Sequence, residues 1–278
     1  MSNNINPIAV ANASGYPLEA ALAAIAKKWE GVTLWPLLAR EHPWDHPVRG
    51  DKRFIDIVLG GQKNDEITRA LYRSRLVIEC KRVEGHWVFP VRQNDAAKSN
   101  QVRVLCAQPG TAAGTSWRKV SCGPPSYHSE FCAMSVKKGS AFDSLDRRTI
   151  EGWGSELIQS GLALAAQESE SLGANASGIE LISYIPMIVT TAPLTVLFFD
   201  PESVDLSSGH VASPQTAEPE SVGWVRFTKN LGFEPLGTEP LSPRPDHLLA
   251  RQGVWVVHAS AFLAFLKAAL SFRVSDGA

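Results

Sequence analysis

Cysteine is scarce in this chain. Cys80, Cys106, Cys122 and Cys132 are the only four among 278 residues, too few and too irregularly spaced for a disulfide framework. Cys122, His128 and Cys132 do not repeat a CxxC knuckle and have no evident fourth ligand, which argues against structural zinc. No glycine-rich phosphate loop is present: Gly60-Gly61 follows an apolar run but lacks the later Gly-Lys-Ser/Thr. No cysteine sits in the turn context of a Cys-His nucleophile. Internal repeats are absent. A formal net charge of -1 carries no nucleic-acid signature by itself. The first residues lack the basic start and long apolar core of a secretory signal, so a cytoplasmic protein is expected. The most membrane-like stretch, Leu181 to Phe199, is uncharged, but Pro186 and Pro193 interrupt it and Thr190, Thr191 and Thr195 favour strand. It reads as two buried strands with a bend, and no membrane partner is expected.

What is present suffices for one large core: 44% of the residues are hydrophobic. Residues 1–278 read as a single domain of the α/β class, with a mixed central sheet flanked by helices. Its core spans about 17–200, with a strand and loop insertion at 93–145 and a C-terminal extension at 201–278 packed on the same core. After a lead-in at 1–15, Tyr16 to Trp29 reads as a helix with Pro17 in its first turn, an apolar stripe of Leu18, Leu22, Ile25 and Trp29, and Gly31 at its end. Residues 32–38 read as a short strand or a turn of helix, 41–51 as irregular, 62–66 as a turn and 67–73 as a helical turn. Arg147 to Leu172 reads as a second long helix stopped by Gly173, with Ile150, Trp153, Leu157 and Leu164 turned inward. Strands are expected at 54–59, 75–82, 86–91, 102–106, 116–122, 179–190, 195–199, 222–228 and 253–258, and a last helix at 260–270. Residues 200–221 and 235–245 read as surface loops.

Charge is uneven along the chain. Residues 40–103 carry 13 Lys/Arg against 9 Asp/Glu, and residues 199–246 carry 3 against 8. The basic segment contains two apolar runs broken by charge at a spacing of two: Arg53-Phe-Ile-Asp-Ile-Val-Leu59 and Arg75-Leu-Val-Ile-Glu-Cys-Lys-Arg82. As strands, the first points Ile55, Ile57 and Leu59 one way and Phe54, Asp56 and Val58 the other. The second points Ile78 and Cys80 one way and Val77, Glu79 and Lys81 the other. Two adjacent strands would bring Asp56, Glu79 and Lys81 to one surface. Ionised groups among apolar residues must pair, hydrogen-bond or hold a metal.

Helix, strand with Asp56, strand with Glu79-Cys80-Lys81, long helix, strands: this order and these residues resemble the PD-(D/E)XK nuclease superfamily, over roughly residues 17–200. Ile55 stands where the nominal proline precedes the aspartate. The resemblance implies a restriction-endonuclease-like core and metal-dependent hydrolysis of DNA phosphodiesters, with RNA as the alternative polymer. Asp56 and Glu79 would bind Mg²⁺ (or Mn²⁺ in its place), helped by the Cys80 backbone carbonyl. Lys81 would orient the attacking water and stabilise the transition state. A further acid from the first helix is best matched by Glu19, with Glu30 and Glu41 as rivals, and Gln159 is a polar candidate on the later helix. The resemblance suggests a bacterial restriction or anti-phage effector, regulated through a partner protein or a homo-oligomer.

Contacts to nucleic acid are expected from Lys52, Arg53 and Arg82, with Arg49 and Lys98 nearby. Trp44, Trp87 and Trp117 are expected in loops where they would stack on bases. Three alternatives stand beside this reading. Asp56, Glu79 and Lys81 would be plain ion pairs on a half-exposed sheet. The chain would be an inactive nuclease-fold subunit that binds nucleic acid or scaffolds a complex. Or it would act on a small phosphorylated ligand.

Overall fold

The structure, a computed structural model, describes residues 6–46, 49–64, 71–92, 98–108, 115–129, 134–136, 147–172, 179–211, 219–230, 251–269 and 273–274. Two helices lead, α1 (Pro7–Ala13) and α2 (Tyr16–Thr33), followed by β1 (Leu37–Asp45), β2 (Lys52–Asn64), β3 (Leu71–Lys81) and β4 (His86–Arg92). Then come β5 (Ser99–Ala107), β6 (Thr115–Ser126), β7 (His128–Ser129), β8 (Met134–Val136) and α3 (Arg147–Leu172). The remainder holds β9 (Ile179–Thr190), β10 (Leu194–Phe199), β11 (Val204–Asp205), β12 (His210–Val211), β13 (Pro219–Val222), β14 (Trp224–Asn230), β15 (Arg251–His258), α4 (Phe262–Ala268) and β16 (Arg273–Val274).

The central sheet is mixed, with the path β1-β2-β3-β9-β15-β14-β7. β1, β2 and β3 form an antiparallel meander, whereas β9 runs parallel to β3 and β15 parallel to β9. A parallel neighbour requires a crossover, and α3 lies in the connection between β3 and β9. β9 is buried from Leu181 to Thr190, as a central strand covered on both faces must be. α2 and α4 cover one face, where Leu22, Ala26, Phe262 and Phe265 meet Ile57, Ile78, Met187 and Trp255. α3 covers the other, together with a smaller sheet of order β13-β10-β4-β8; Leu157, Ile158 and Leu164 lie there with Val77, Tyr184, Trp87 and Phe89. Among the described residues no helix is long and apolar enough to cross a membrane.

Several local expectations change. α2 continues through Gly31 to Thr33, and Leu34 in the left-handed region (φ 58°) closes it. The stretch read as irregular from 41 is strand as far as Asp45, because β1 pairs with β2 as an edge strand. An edge tolerates Pro43, which has no N–H to offer. β2 also runs straight through Gly60-Gly61 instead of turning. A Cβ at Gly60 would approach Leu38 Cδ1 to 2.7 Å and one at Gly61 would approach Trp35 Cζ3 to 2.9 Å, so glycine lets those side chains close over the strand. Residues 71–73, read as helical, belong to β3. In the described part of 93–145, β5 and β6 extend the central sheet, with β5 antiparallel to β9. Within 200–221 lie a short 3-10 turn, the pair β11–β12 and strand β13. The expectations for 67–70, Gly173 and 235–245 fall outside the described residues.

Candidate functional site

The β2–β3 ladder runs from Asn64↔Leu71 to Ile57↔Ile78 and stops there. Beyond that pair β2 stays with β1 down to Lys52, while β3 stays with β9 as far as Lys81↔Thr190. The two strands therefore part, and Asp56 and Glu79 stand opposite each other at the mouth of the fork. Asp56 spans it: its Oδ2 accepts the Cys80 backbone N–H at 2.6 Å, in place of a ladder bond. An extended residue directs its N–H and C=O to the same side, so the Cys80 carbonyl opens into the fork too. The Cys80 side chain packs on the α2 side of the sheet, as its alternation requires, and burial, ahead of Asp56 and Glu79, pushes its thiol up.

Glu79 and Lys81 lie on the α3 face of β3 with Val77. The Lys81 ammonium donates to Glu79 Oε1 and sits 5.0 Å from the centre of the Trp153 ring on α3. Asp56 is mostly buried, and its carboxyl is pushed up to about 7, first by burial and then by the Glu79 carboxylate. The Cys80 N–H and Lys81 pull the other way, and Glu19 adds a smaller upward push. Two like charges at the end of an apolar ladder cannot both be accommodated easily without a cation. A perturbed pair of this kind in a cleft marks a candidate for chemistry.

That cleft has a volume of about 300 Å³. Glu79 lies within it, Trp44, Arg53 and Phe54 line the β1–β2 side, and Glu156, Leu157 and Ser160 line the α3 side. Trp153, Glu156, Leu157 and Ser160 recur at one-turn spacing, so a single face of α3 roofs the fork. Glu156, Trp153 and Phe54 were missed as site residues. The helical spacing of Trp153 and Glu156 and the strand holding Phe54 were visible in the sequence, whereas the docking of α3 over the fork was not. Gln159, the polar candidate on this helix, is half-buried and does not line the cleft.

Glu19 is buried on α2, and its Oε1 accepts two bonds from Arg40 of β1, 3.1 Å from Nε and 2.9 Å from Nη2. It acts on Asp56 through its charge. Its rivals Glu30 and Glu41 are exposed; Glu41 falls opposite Asp56 on the β1 side, in the left-handed region at φ 47°. Among the described residues no three or more His, Cys, Asp or Glu side chains converge on a metal position. Of the three residues weighed and set aside for zinc, Cys122 is fully buried, His128 bonds Thr228, and Cys132 lies outside the described residues.

The expected nucleic-acid contacts divide. Arg53 is held by Glu156 (2.6 Å) and Asp51 (3.2 Å), Lys52 and Arg82 are exposed, and Lys98 bonds Glu220 at 3.4 Å. The tryptophan expectation is overturned for two residues: Trp44 and Trp87 are buried in β1 and β4, because each indole has a sheet face to fill. The Trp117 side chain lies outside the described residues. Comparison with family models, curated proteins and solved structures gave no match.

Proposed function

We propose that this chain is a metal-dependent phosphodiesterase of the PD-(D/E)XK, restriction-endonuclease-like type, acting on DNA. The observation that carries it is the fork itself, where Asp56 and Glu79 face each other beyond the last β2–β3 pair and Lys81 bonds Glu79. The element order supports it as well: α2, the Asp56 strand, the Glu79/Lys81 strand, α3 and then a strand parallel to β3.

The donors fit a hard cation. Asp56 and Glu79 each have one oxygen engaged by protein, and the Cys80 carbonyl opens into the same space, a set suited to Mg²⁺ or Mn²⁺ that keep several waters. Once bound, such an ion would supply charge neutralisation at the phosphate and an acidified water. Asp56 must release its proton to take part. Lys81, anchored by Glu79 and backed by the Trp153 ring, points a positive charge at the place where the attacking water and developing negative charge would meet. Glu19, fixed by Arg40, would tune Asp56 through space, and the ligand role expected for it yields to that one.

A second reading, a binding subunit on the same fold, draws on the Glu79–Lys81 bond and on the lack of a third converging carboxylate among the described residues. Incubation of plasmid and of single-stranded DNA or RNA with Mg²⁺ or Mn²⁺ separates the two. Cleavage by the wild type should fall by at least about a hundredfold in K81A and in E79A. Cleavage that persists in both variants would rule out the assigned site. Binding without cleavage under every metal condition favours the subunit.

A further inference from the structure

Two residues at the cleft have no part in holding a metal. Phe54 is 57% exposed although it lines a charged cleft, and its neighbour Arg53 reaches across the same opening to α3. Both acids that hold Arg53 are half in solvent, with side-chain exposures of 49% for Asp51 and 45% for Glu156. An ion pair so exposed contributes little net stability and exchanges readily for another anion. A backbone phosphodiester offers a guanidinium the same two-oxygen geometry and the same single charge, and a strand presents many of them. The cleft volume of about 300 Å³ is at the small end for ligand sites, room for one nucleotide. Space for one nucleotide between α3 and the β1–β2 side suits an unpaired strand, which can present its nucleotides singly, better than a duplex.

We infer that the cleft takes one nucleotide of a single strand, its base stacked on Phe54 and its phosphate bonded to Arg53 after that guanidinium leaves Glu156. This rests on the nuclease reading of the fork. Glu156 is then a latch that an anionic backbone displaces, which makes entry selective for polyanions over neutral ligands.

Fluorescence anisotropy with the full chain in EDTA, using a short labelled oligodeoxythymidylate and a blunt duplex of equal length, tests binding apart from cleavage. The single strand should bind about tenfold or more tightly than the duplex. F54A should weaken single-strand binding about 5- to 100-fold, the range for one lost stack, F54Y should keep it, and F54L should lose it despite its bulk. R53Q should weaken binding about tenfold and E156Q should strengthen it about two- to fivefold. A purely structural Arg53–Glu156 pair predicts that both changes move affinity the same way. That result overturns the latch, and equal affinity for single strand and duplex, or no response to F54A, overturns the single-strand assignment. Thermal unfolding of each variant checks that it is folded. Lys81-dependent cleavage with equal single-strand and duplex affinity would refute this inference and leave the hydrolase reading standing. Phe54-dependent single-strand binding with no cleavage under any metal would do the reverse.

Discussion

One stripe of β3 carries two charge clusters with opposite characters. Arg75, Val77, Glu79 and Lys81 all face α3. At Arg75 the charges close on themselves: Nε donates to Glu168 Oε1 at 2.7 Å, and Tyr184 donates to Glu168 Oε2 at 2.7 Å. One acid, one base and one neutral hydroxyl thus join β3, α3 and β9. Burial, ahead of the Glu168 charge, pushes the Tyr184 hydroxyl up, so it stays a donor. Four residues along, at Glu79, two acids share one lysine, the ladder has ended, and the roof is a cleft instead of a seal. Balanced charge inside a continuous ladder holds α3 in place. Where the ladder ends, two carboxylates crowd one lysine and Asp56 holds its proton to about 7, a perturbed pair that sets this candidate site apart from the sealed one.

The comparison breaks most sharply at Glu168. E168A would leave the buried Arg75 guanidinium without its acid and Tyr184 without its acceptor, a loss of about 3–5 kcal/mol by urea denaturation. E168Q, which still accepts from one of the two donors, should recover part of that loss. A cost below about 1 kcal/mol for E168A would mean that the sealed network does not anchor α3. E79A, in contrast, removes a repulsion along with a lysine contact and should cost far less.

Asp56 gives the next largest effect, with the opposite sign at neutral pH. Its carboxyl holds a proton to about 7 in the fold and to its ordinary 3.8 in the unfolded chain. Its stabilising contribution is therefore complete below about pH 4, falls as the pH rises, and is lost above pH 7. At about 1.4 kcal/mol per pH unit, and shared with Glu79, the swing is on the order of 2–4 kcal/mol. D56N, whose amide oxygen can still accept the Cys80 N–H, should flatten that slope and be more stable than the wild type at pH 8. Added Mn²⁺ should stabilise the wild type more at pH 8 than at pH 5, because binding competes with the proton, and should leave D56N unchanged. Parallel pH–stability profiles for wild type and D56N would break the link between the fork and the cation.

The legible parts of this architecture were those with one strong local pattern. α3 and β9 have the bounds expected of them, Arg147–Leu172 and Ile179–Thr190, because a long apolar stripe and a buried parallel run admit few other readings. Ile57, Leu59 and Val58 fall on the expected faces; Ile55 departs and joins the α3-side cluster with Trp44, where β2 turns away from β3. β1 was illegible because His42-Pro43-Trp44 lacks alternation: an edge strand needs only backbone pairing and one buried side chain, here Trp44. That Glu79 and Lys81 share the α3 face follows from period two, whereas Asp56, next to the departing Ile55, meets the Cys80 N–H across the fork and does not line the cleft. That the ladder ends one residue short of the two acids depends on register, which periodicity does not carry. Nor does it carry the docking of α3, so Glu156 over Arg53 and Trp153 over Lys81 could not be read from spacing alone.

Glu19 gives the finest test of where the open cluster ends. It acts on Asp56 more weakly than Glu79 does and is held by Arg40, whose guanidinium also lies 5.6 Å from the Tyr16 ring centre. Neutralising either acid should lower the Asp56 midpoint, since each raises it by like charge. E79Q should do so by on the order of one pH unit, because it also frees Lys81 to face Asp56, and E19Q by only a few tenths. A carbon-detected NMR titration of the aspartate carboxyls reads both shifts. Equal shifts would bring Glu19 into the fork as a third direct partner of Asp56. No shift in E19Q would confine the site to the two strands and leave Glu19–Arg40 as a clasp between α2 and β1.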